Sequence, residues 1–568
     1  MKKRKSLLFL LACALILSAC SNSNETANGS NGNEGKGNVQ TSNKDAAAVT
    51  DKDAATDTDK GAAADTDPYK MPEATDVSFV LRVNPDLKLP EGDTVENNVF
   101  TRYIAEQTNI HFKLLWYASN TDYDQKSKLS IASNDLPDAM VVDEKQYRAM
   151  AEGGQLEDLS EVYSKFGSDQ LKAYYNSTDG RALQQATIGG KLMALPNIVP
   201  QADTYVLTWM RKDWLDKLGL PEPKTLEDVE AITKAFIERD PDGNGKPDTI
   251  GLTGNNTSIT QWYGNDFRAI FNYYNAHPGT WYKNDSGKLV YGSTTPEAKK
   301  ALLKAQELYK NGLVDKEFAV RKDPMEPVKD GKVGVFFQAW WVPFSLADMM
   351  KSHPEADWKA YAIPGVNGKV NVTHIATSNG FLVVKKGFKH PEALVKYLNF
   401  QTRFGKSPTE EDKKIDHTLY VSVLPLSLNI DYIDTVSQKH DMITKALKGE
   451  ISQDKLTPEM KGHYERWQRV LASKGHPDPA DWGAPYSYIY GAGAIPQKAD
   501  ENAVDPAFTA TTPAMDKKWS NLQKLEDETF FQIVLGEKPI EAFDQYVADW
   551  KAQGGDEITQ EIEAELSK

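Results

Sequence analysis

Cysteine is nearly absent from this chain of 568 residues, which contains only Cys13 and Cys20. Both lie near the N-terminus, so disulfides cannot stabilise the rest of the protein, although a chain of this length can bury a sufficient core without them. Basic residues are also in deficit, because 81 Asp and Glu outweigh 66 Lys and Arg and give a formal net charge of −15. Such an acidic chain is poorly suited to binding nucleic acid or an anionic lipid surface.

Motifs for common enzymatic chemistry are missing as well. The sequence has no Gly-x-Ser-x-Gly elbow, no His-Glu-x-x-His zinc motif, no phosphate-binding loop and no cysteine pair for a metal. Carboxylates are abundant, which leaves open an acid–base pair for glycoside cleavage. A secreted polysaccharide-active enzyme is therefore one alternative to a binding protein.

The first nineteen residues combine a cationic start with a short apolar run. Lys2 to Lys5 are all basic, Ser6 to Leu17 is almost entirely apolar, and small residues precede Cys20. The run is too short to span a bilayer and has the flanking charge of a secretory signal. Its end resembles a bacterial lipobox, in which cleavage occurs before the cysteine and its sulfur receives diacylglycerol. We predict a signal peptide over 1–19 and lipidation of Cys20, with acyl chains such as palmitate. An ordinary signal peptide with an incidental cysteine is the alternative.

A segment without large apolar side chains follows. Residues 21–68 contain no Leu, Ile, Met, Phe, Tyr or Trp, so they cannot bury enough surface to offset the entropy lost on ordering. We predict that 20–70 form the lipidated cysteine and a disordered tether. No later apolar run approaches the length of a membrane span, so the lipid is the expected anchor on the extracytoplasmic face of the cell membrane.

Beyond the tether, segments typical of strands and helices alternate. Val77–Leu81, Ile110–Trp116 and Ala139–Val142 have strand character, and helices are predicted over Val95–Gln107 and Tyr123–Ala132. This order implies parallel strand pairing in an α/β sheet covered by helices.

The C-terminal end has a helical pattern instead. Apolar residues from Met515 to Val534, Trp519 among them, fit one helical face. Gly536 ends this helix and Pro539 begins another, in keeping with the positions that these residues favour. Core packing is the expected role of that apolar face.

Several phrases in a fixed order resemble one protein family. They are Ser133–Asp138, Gly154–Leu159, Gly190–Pro196, Arg211–Gly219, the pair Pro223 and Thr225 before a helix, and Gly536–Gly555. Together they are similar to the family-1 extracellular solute-binding proteins of ABC importers, in the long lipoprotein subgroup called LplA/LipO-like.

That resemblance implies an α/β, two-lobed fold of the periplasmic-binding-protein type with a hinged interlobe cleft for the solute. By the same analogy, lobe 1 comprises 71–202 plus 374–440, and lobe 2 comprises 203–373 plus 441–568. The resemblance also implies a monomer without catalytic activity that delivers its solute to ABC permease subunits. A ligand-sensing co-receptor for a membrane kinase is the second alternative.

One loop carries oxygen side chains at alternating positions. Asp240, Asp242, Asn244 and Asp248 occupy relative positions 1, 3, 5 and 9, and Lys246 at position 7 would contribute its carbonyl oxygen. With glycine at position 6, this is the first part of an EF-hand-like loop, and Ca²⁺ needs six or more hard oxygen ligands. Position 12 holds glycine rather than the EF-hand glutamate. We predict a structural Ca²⁺ site, with a metal-free turn as the alternative.

Aromatic residues in loops predict a carbohydrate site. Sugars pack their apolar C–H faces on flat rings, while polar side chains around them satisfy the hydroxyl groups. The predicted ligand-binding residues are Trp209, Arg211, Trp262, Tyr263, Trp340, Trp341, Tyr486 and Tyr488. Core packing is the alternative for each ring, and a structural ion pair is the alternative for the arginine. We predict that the solute is an oligosaccharide or a modified sugar.

Overall fold

The computed structural model describes residues 67–84, 87–260, 264–415, 420–473 and 477–567. The predicted signal peptide, the lipidation site at Cys20 and most of the predicted tether lie outside these ranges. Within them, no helix is both long enough and apolar enough to cross a membrane.

The folded chain begins earlier than the sequence predicts. Lys396 is fully buried, and its Nζ donates to the carbonyl oxygens of Asp67 and Lys70 at 2.6 and 2.8 Å. Asn399 donates to the carbonyl oxygen of Pro68 at 2.6 Å. Two buried donors thus hold residues that were expected to end the tether, so the predicted boundary at residue 70 moves back to 67.

The first segment, up to residue 198, alternates strands and helices as predicted as far as residue 142, and four helices and three short strands follow. The strands are β1 (Thr75–Arg82), β2 (Ile110–Ala118), β3 (Ala139–Val142), β4 (Thr187–Ile188), β5 (Lys191–Leu192) and β6 (Leu195–Pro196). The helices are α1 (Val99–Thr108), α2 (Asn120–Ser133), α3 (Glu144–Glu152), α4 (Ser160–Phe166), α5 (Asp169–Asn176) and α6 (Arg181–Gln185). Helix α1 begins after the predicted Val95 because Asn98 caps it, accepting the N–H groups of Phe100 and Thr101.

The second segment, up to residue 373, contributes strands to three further sheets. Its strands are β7 (Leu207–Arg211), β8 (Trp281–Lys283), β9 (Leu289–Tyr291), β10 (Val335–Gln338), β11 (Trp358–Tyr361) and β12 (Val370–Thr373). Its helices are α7 (Lys212–Leu218), α8 (Leu226–Glu238), α9 (Arg268–Tyr273), α10 (Pro296–Lys310), α11 (Glu326–Lys329), α12 (Pro343–Leu346) and α13 (Met349–Ser352). Strand β7 lies between β10 and β11 and is antiparallel to both.

The rest of the chain first adds a strand between β3 and β6 and then continues as mostly helical structure. It forms β13 (Phe381–Val384), α14 (Glu392–Lys406), α15 (Tyr420–Val423), α16 (Thr435–Leu447), α17 (Pro458–Ala472), α18 (Pro479–Pro485), β14 (Glu501–Val504), α19 (Pro513–Val534), α20 (Ala542–Trp550) and α21 (Asp556–Leu566). Strands β1 and β2 pair in parallel as predicted. The prediction of parallel pairing is wrong for β3, because β13 lies between β3 and β6 and is antiparallel to both.

Three hydrophobic cores follow this division of the chain. The first draws on residues 71–198 and 381–430, the second on 210–337 and 514–562, and the third on 202–372 and 436–492. The first core belongs to lobe 1, and the other two belong to lobe 2. The lobe boundary predicted at residue 440 falls inside α16, whose Val436 and Ile443 both pack in the third core. That boundary therefore moves to the start of α16.

The chain crosses between the lobes three times, near residues 202, 374 and 435. These three crossings are hydrogen-bonded to one another. The N–H of Ile198, in the first crossing, donates to the carbonyl oxygen of Asn429 in the third at 2.8 Å. The N–H of Val199 donates to the carbonyl oxygen of Thr377 in the second at 2.9 Å. The first crossing thus connects the other two.

Candidate functional site

Two adjoining cavities lie beside the crossings. The aromatic cavity, of 520 Å³, is lined by α9, the β8–β9 hairpin, α19 and the second crossing. The charged cavity, of 680 Å³, adds side chains from α3 and α6 of lobe 1 and from α21 of lobe 2. Both cavities share residues 375–376 and 508–511, so they form one continuous candidate site between the lobes.

Three aromatic rings in mutual contact form the wall of the aromatic cavity. The ring centroid of Trp281 lies 4.4 Å from that of Tyr291 and 5.0 Å from that of Trp519. Tyr291 in turn stacks on Trp550, with centroids 4.7 Å apart and planes 3° from parallel. The β8–β9 hairpin places Trp281 directly opposite Tyr291. Trp281 and Tyr291 are buried, whereas Trp519 is half-buried and gives the cavity a flat apolar face.

Polar side chains face the same aromatic cavity. They include Arg268, Asn272, Gln523 and the hydroxyl groups of Thr204, Thr260 and Thr280. The Thr260 hydroxyl is buried and has no hydrogen-bond partner among the described residues. A buried polar group without a partner is costly, so this hydroxyl favours a ligand with hydrogen-bonding groups of its own.

A buried carboxyl group supports the aromatic wall from behind. Glu526 accepts hydrogen bonds from the hydroxyl groups of Tyr291 and Ser293, both at 2.8 Å, and from Tyr546 at 3.2 Å. Burial raises the pKa of Glu526 to about 7, although the hydroxyl donors oppose that shift. The group therefore holds Tyr291 in place and changes protonation near neutral pH.

A histidine of the second crossing connects the charged cavity to the first crossing. One ring nitrogen of His374, Nδ1, lies 2.7 Å from Asp505 Oδ1, and Nε2 lies 3.1 Å from the Gln201 side-chain nitrogen. Arg181 Nη1 approaches the same Asp505 carboxylate at 3.7 Å. The cavity wall and the crossings are thus part of one polar network.

The structure places two of the predicted ligand-binding residues in the core. Trp209 has no exposed surface, and its indole N–H donates to the carbonyl oxygen of Ala339 at 3.1 Å. Arg211 is 2% exposed, donates from Nε to Asp213 at 2.7 Å, and lies over the Trp214 ring. Both residues are on β7 and line neither cavity, so we reassign them from ligand binding to structural packing.

The predicted Trp340, Trp341, Tyr486 and Tyr488 come together, but in the third core. The ring centroids of Trp340 and Tyr488 are 5.1 Å apart, and Tyr486 stacks on Trp482 at 4.5 Å. None of the four lines the aromatic or the charged cavity in the described part of the chain. Their role in ligand binding stays a prediction.

Two further predicted ligand residues, Trp262 and Tyr263, lie outside the described residues. The sequence analysis misses Trp519, because it assigns this ring to the apolar core face of a helix. The available signal is the threonine-rich stretch Phe508–Thr512 directly before α19. Most of that stretch lines both cavities, and Thr512 caps the helix that carries Trp519.

The predicted calcium loop folds around its own oxygen atoms. The Asn244 side chain donates to Asp242 Oδ2 at 2.7 Å and to Asp248 Oδ1 at 3.0 Å, and the N–H of Gly245 donates to Asp240 Oδ2 at 3.0 Å. Burial and the neighbouring Asp240 raise the pKa of Asp242. Among the described residues, no three His, Cys, Asp or Glu side chains are placed closely enough to hold a metal ion. The oxygen donors suit a hard cation in kind, but calcium binding stays a prediction.

Residues 88–403 match the family model described as bacterial extracellular solute-binding protein. Lipoprotein LipO of Bacillus subtilis (strain 168) is 24% identical over 498 residues, covering 85% of this chain and 91% of LipO. The polygalacturonan/rhamnogalacturonan-binding protein YtcQ of the same strain is 26% identical over 474 residues, covering 81% and 86%.

A solved structure has the same overall architecture. The Streptococcus pneumoniae ABC-transporter substrate-binding protein FusA, in complex with kestose, has a TM-score of 0.56 to this chain at 18% identity. The match covers 87% of this chain and 99% of FusA. This likeness confirms the predicted two-lobed α/β fold.

Proposed function

This chain belongs to the bacterial extracellular solute-binding proteins, and we propose that it captures an oligosaccharide and delivers it to the permease subunits of an ABC importer. The aromatic wall carries this proposal. Trp519 offers a flat apolar face, and the amide, guanidinium and hydroxyl groups around it can pair with sugar hydroxyls. The volumes of 520 and 680 Å³ both fall within the range of about 300–1,000 Å³ that is usual for small-molecule sites.

The location of the cavities supports a solute that is sensed by both lobes. The charged cavity has walls from α3 and α6 of lobe 1 and from α21 of lobe 2. A solute that contacts both lobes and the crossings binds the closed arrangement more tightly than the open one, and so favours closure. Closure is what a membrane permease would recognise in this scheme.

The names of two relatives also support a carbohydrate solute. YtcQ is named for polygalacturonan and rhamnogalacturonan, and FusA was solved with kestose. Binding and delivery without catalysis are the role that we propose for this chain.

The membrane anchor and the metal belong to the same proposal. We propose that Cys20 carries the lipid, that the protein acts as a monomer at the extracytoplasmic face, and that Ca²⁺ stabilises the loop of Asp240, Asp242 and Asp248. Bound calcium would supply positive charge between these carboxylates, which otherwise repel one another. Cys20→Ala should release the protein from the membrane fraction or leave it unprocessed, and unchanged lipidation and processing of the variant would contradict the anchor.

Titration calorimetry of the mature protein tests the main proposal. We expect at least one fructo-, gluco-, galacto- or galacturono-oligosaccharide to bind with a stoichiometry near one, as a single interlobe site requires. Chromatography of the same mixtures after long incubation should show the oligosaccharides intact. Heat from peptides alone would contradict the carbohydrate assignment, and shorter products would favour the polysaccharide-active enzyme.

A further inference from the structure

The charges around the two cavities indicate which oligosaccharides can bind, an inference that rests on the proposed function. Each of the three arginines that line the cavities in the described part of the chain has a carboxylate partner. Arg148 donates from Nε and Nη2 to Glu144 Oε1, at 3.1 and 2.9 Å. Arg268 donates from Nε to both carboxylate oxygens of Asp266 at 3.0 Å. These two guanidinium groups are therefore neutralised by the protein itself.

The third arginine shares its carboxylate. Arg181 Nη1 lies 3.7 Å from Asp505, while its Nε donates to the carbonyl oxygen of Thr178 at 3.1 Å. His374 contacts the same Asp505 carboxylate. No lysine of the described ranges lines either cavity.

Carboxylates outnumber guanidinium groups on the wall of the charged cavity. Glu152, Asp505, Glu561 and Glu565 line it, against Arg148 and Arg181. The acidic groups come from three separate segments: α3 of lobe 1, the stretch before α19, and α21. The resulting potential is negative, as is the net charge of the chain.

A sugar carboxylate would meet two costs in this site. It would lose hydration, which costs several kcal/mol for an ion that gains no partner, and it would approach charges of its own sign. The hydroxyl groups of a neutral sugar are instead attracted to this wall, because they can donate charge-assisted hydrogen bonds to its carboxylates. They also suit the amides of Gln184, Gln185 and Asn272.

We propose that the two cavities select uncharged oligosaccharides and reject those whose rings carry carboxylates. The selectivity would come from the prior pairing of the arginines and the excess of carboxylates, while the aromatic wall would supply affinity to both kinds of sugar. On this inference the solute differs in class from the acidic polysaccharides for which YtcQ is named.

Calorimetry with matched sugars tests this selectivity. Fructo-, malto- and galacto-oligosaccharides are compared with galacturonate oligosaccharides of equal length, at pH 7 and at about 20 and about 200 mM NaCl. We expect a neutral sugar to bind with nearly the same affinity at both salt concentrations, and the galacturonates to bind roughly a hundredfold more weakly or not at all. If a galacturonate binds more tightly than every neutral sugar, with affinity that falls as salt rises, the selectivity is wrong while the proposed function stands. If no oligosaccharide binds, the proposed function itself fails.

A variant that removes the carboxylate partner of one arginine tests whether arginine pairing causes the selectivity. Glu144→Gln removes the partner of Arg148 without changing a residue that lines either cavity. Galacturonate affinity should then rise by roughly fivefold and become salt-dependent, while neutral-sugar affinity stays the same. Glu106→Gln is the matched control, since it removes one negative charge from an exposed position outside both cavities. An equal response in both variants, or none in Glu144→Gln, would overturn the role of arginine pairing.

Discussion

Lobe 2 contains two aromatic clusters, one in the third core and one in the cavity wall, and they differ in how their rings are hydrogen-bonded and covered. In the third core, Trp340 donates to Asp203 at 2.7 Å and Tyr486 donates to Asp357 at 2.9 Å, so both rings are held by half-buried carboxyl groups. Burial raises the pKa of both carboxyl groups. In the cavity wall, Tyr291 is held in this way by Glu526, while the half-buried Trp519 keeps one face toward the cavity.

The difference shows that loop aromatics are a poor guide to a binding site. Rings of the third core occur among Gly and Pro in the sequence, yet other rings cover them. Trp519 occurs in a helix, yet it lines a cavity because no side chain of the described residues fully covers it. What decides the role of a ring is the segment that packs over it, and that segment is distant in sequence.

The largest expected effect separates the two clusters by stability. Trp482 is fully buried in the third core and stacks on Tyr486. Trp482→Ala should lower the free energy of unfolding by about 3–5 kcal/mol, because it removes a large buried side chain. Urea denaturation measures this loss, and Trp519→Ala in the same assay should cost less, about 1–2 kcal/mol, because its half-buried ring packs on Trp281 but keeps one face toward the cavity. Equal losses for the two variants would erase the distinction between the clusters.

The carboxyl group behind the cavity wall should make stability depend on pH. Burial raises the pKa of Glu526 from 4.5 to about 7, so the folded state binds this proton more tightly than the unfolded state. Its contribution is complete below pH 4.5 and is lost as pH rises through 7, by up to about 3 kcal/mol.

The variant Glu526→Gln isolates that contribution. His277, whose pKa burial lowers to about 4, should produce an opposing rise in stability between pH 4 and 6.5 in both proteins. The difference in unfolding free energy between the wild type and Glu526→Gln should therefore fall steadily from pH 4.5 to 7. A difference that does not change with pH would contradict a titrating group behind the wall.

The next effect separates the clusters by affinity. Trp519→Ala removes the exposed face of the cavity wall and should weaken oligosaccharide binding by about 1–3 kcal/mol, or about tenfold to a hundredfold. Calorimetry with the sugar that binds the wild type measures this change. Trp340→Ala serves as the control, since its ring packs against Tyr488 outside both cavities. A greater loss of affinity in Trp340→Ala would place the sugar at the third core instead.

The smallest expected effect concerns the calcium loop, which follows α8 in the second core. At free Ca²⁺ ten times its dissociation constant, binding to the native state should add about 1.4 kcal/mol to the unfolding free energy. Asp242→Asn should remove the response of the melting temperature to chelator. A wild-type melting curve that chelator does not shift would mean a metal-free turn.

Local patterns in the sequence predict much of the fold but less of the site. The pairing of β1 with β2 and the helices α8 and α19 follow from apolar periodicity within each segment. The antiparallel pairing of Val142 with Phe381 does not, since it joins strands far apart in the sequence. The cavities depend on the same kind of distant contact, because residues 373–376, α9 and α19 must first come together. The sequence motifs that resemble the solute-binding family predicted the two lobes, but they did not predict which aromatic rings line the cavities.

The hydrogen bonds among the three crossings have a mechanical consequence. The three segments lie side by side and are hydrogen-bonded. Together they can twist along their length, but they cannot slide past one another without breaking the bonds of Ile198 and Val199. We therefore expect relative movement of the lobes to be a rotation about the crossings, in which the three bonded segments move together. The cavities lie beside these crossings, close to the axis of rotation. A small rotation at the solute therefore moves the far ends of both lobes by a much larger distance.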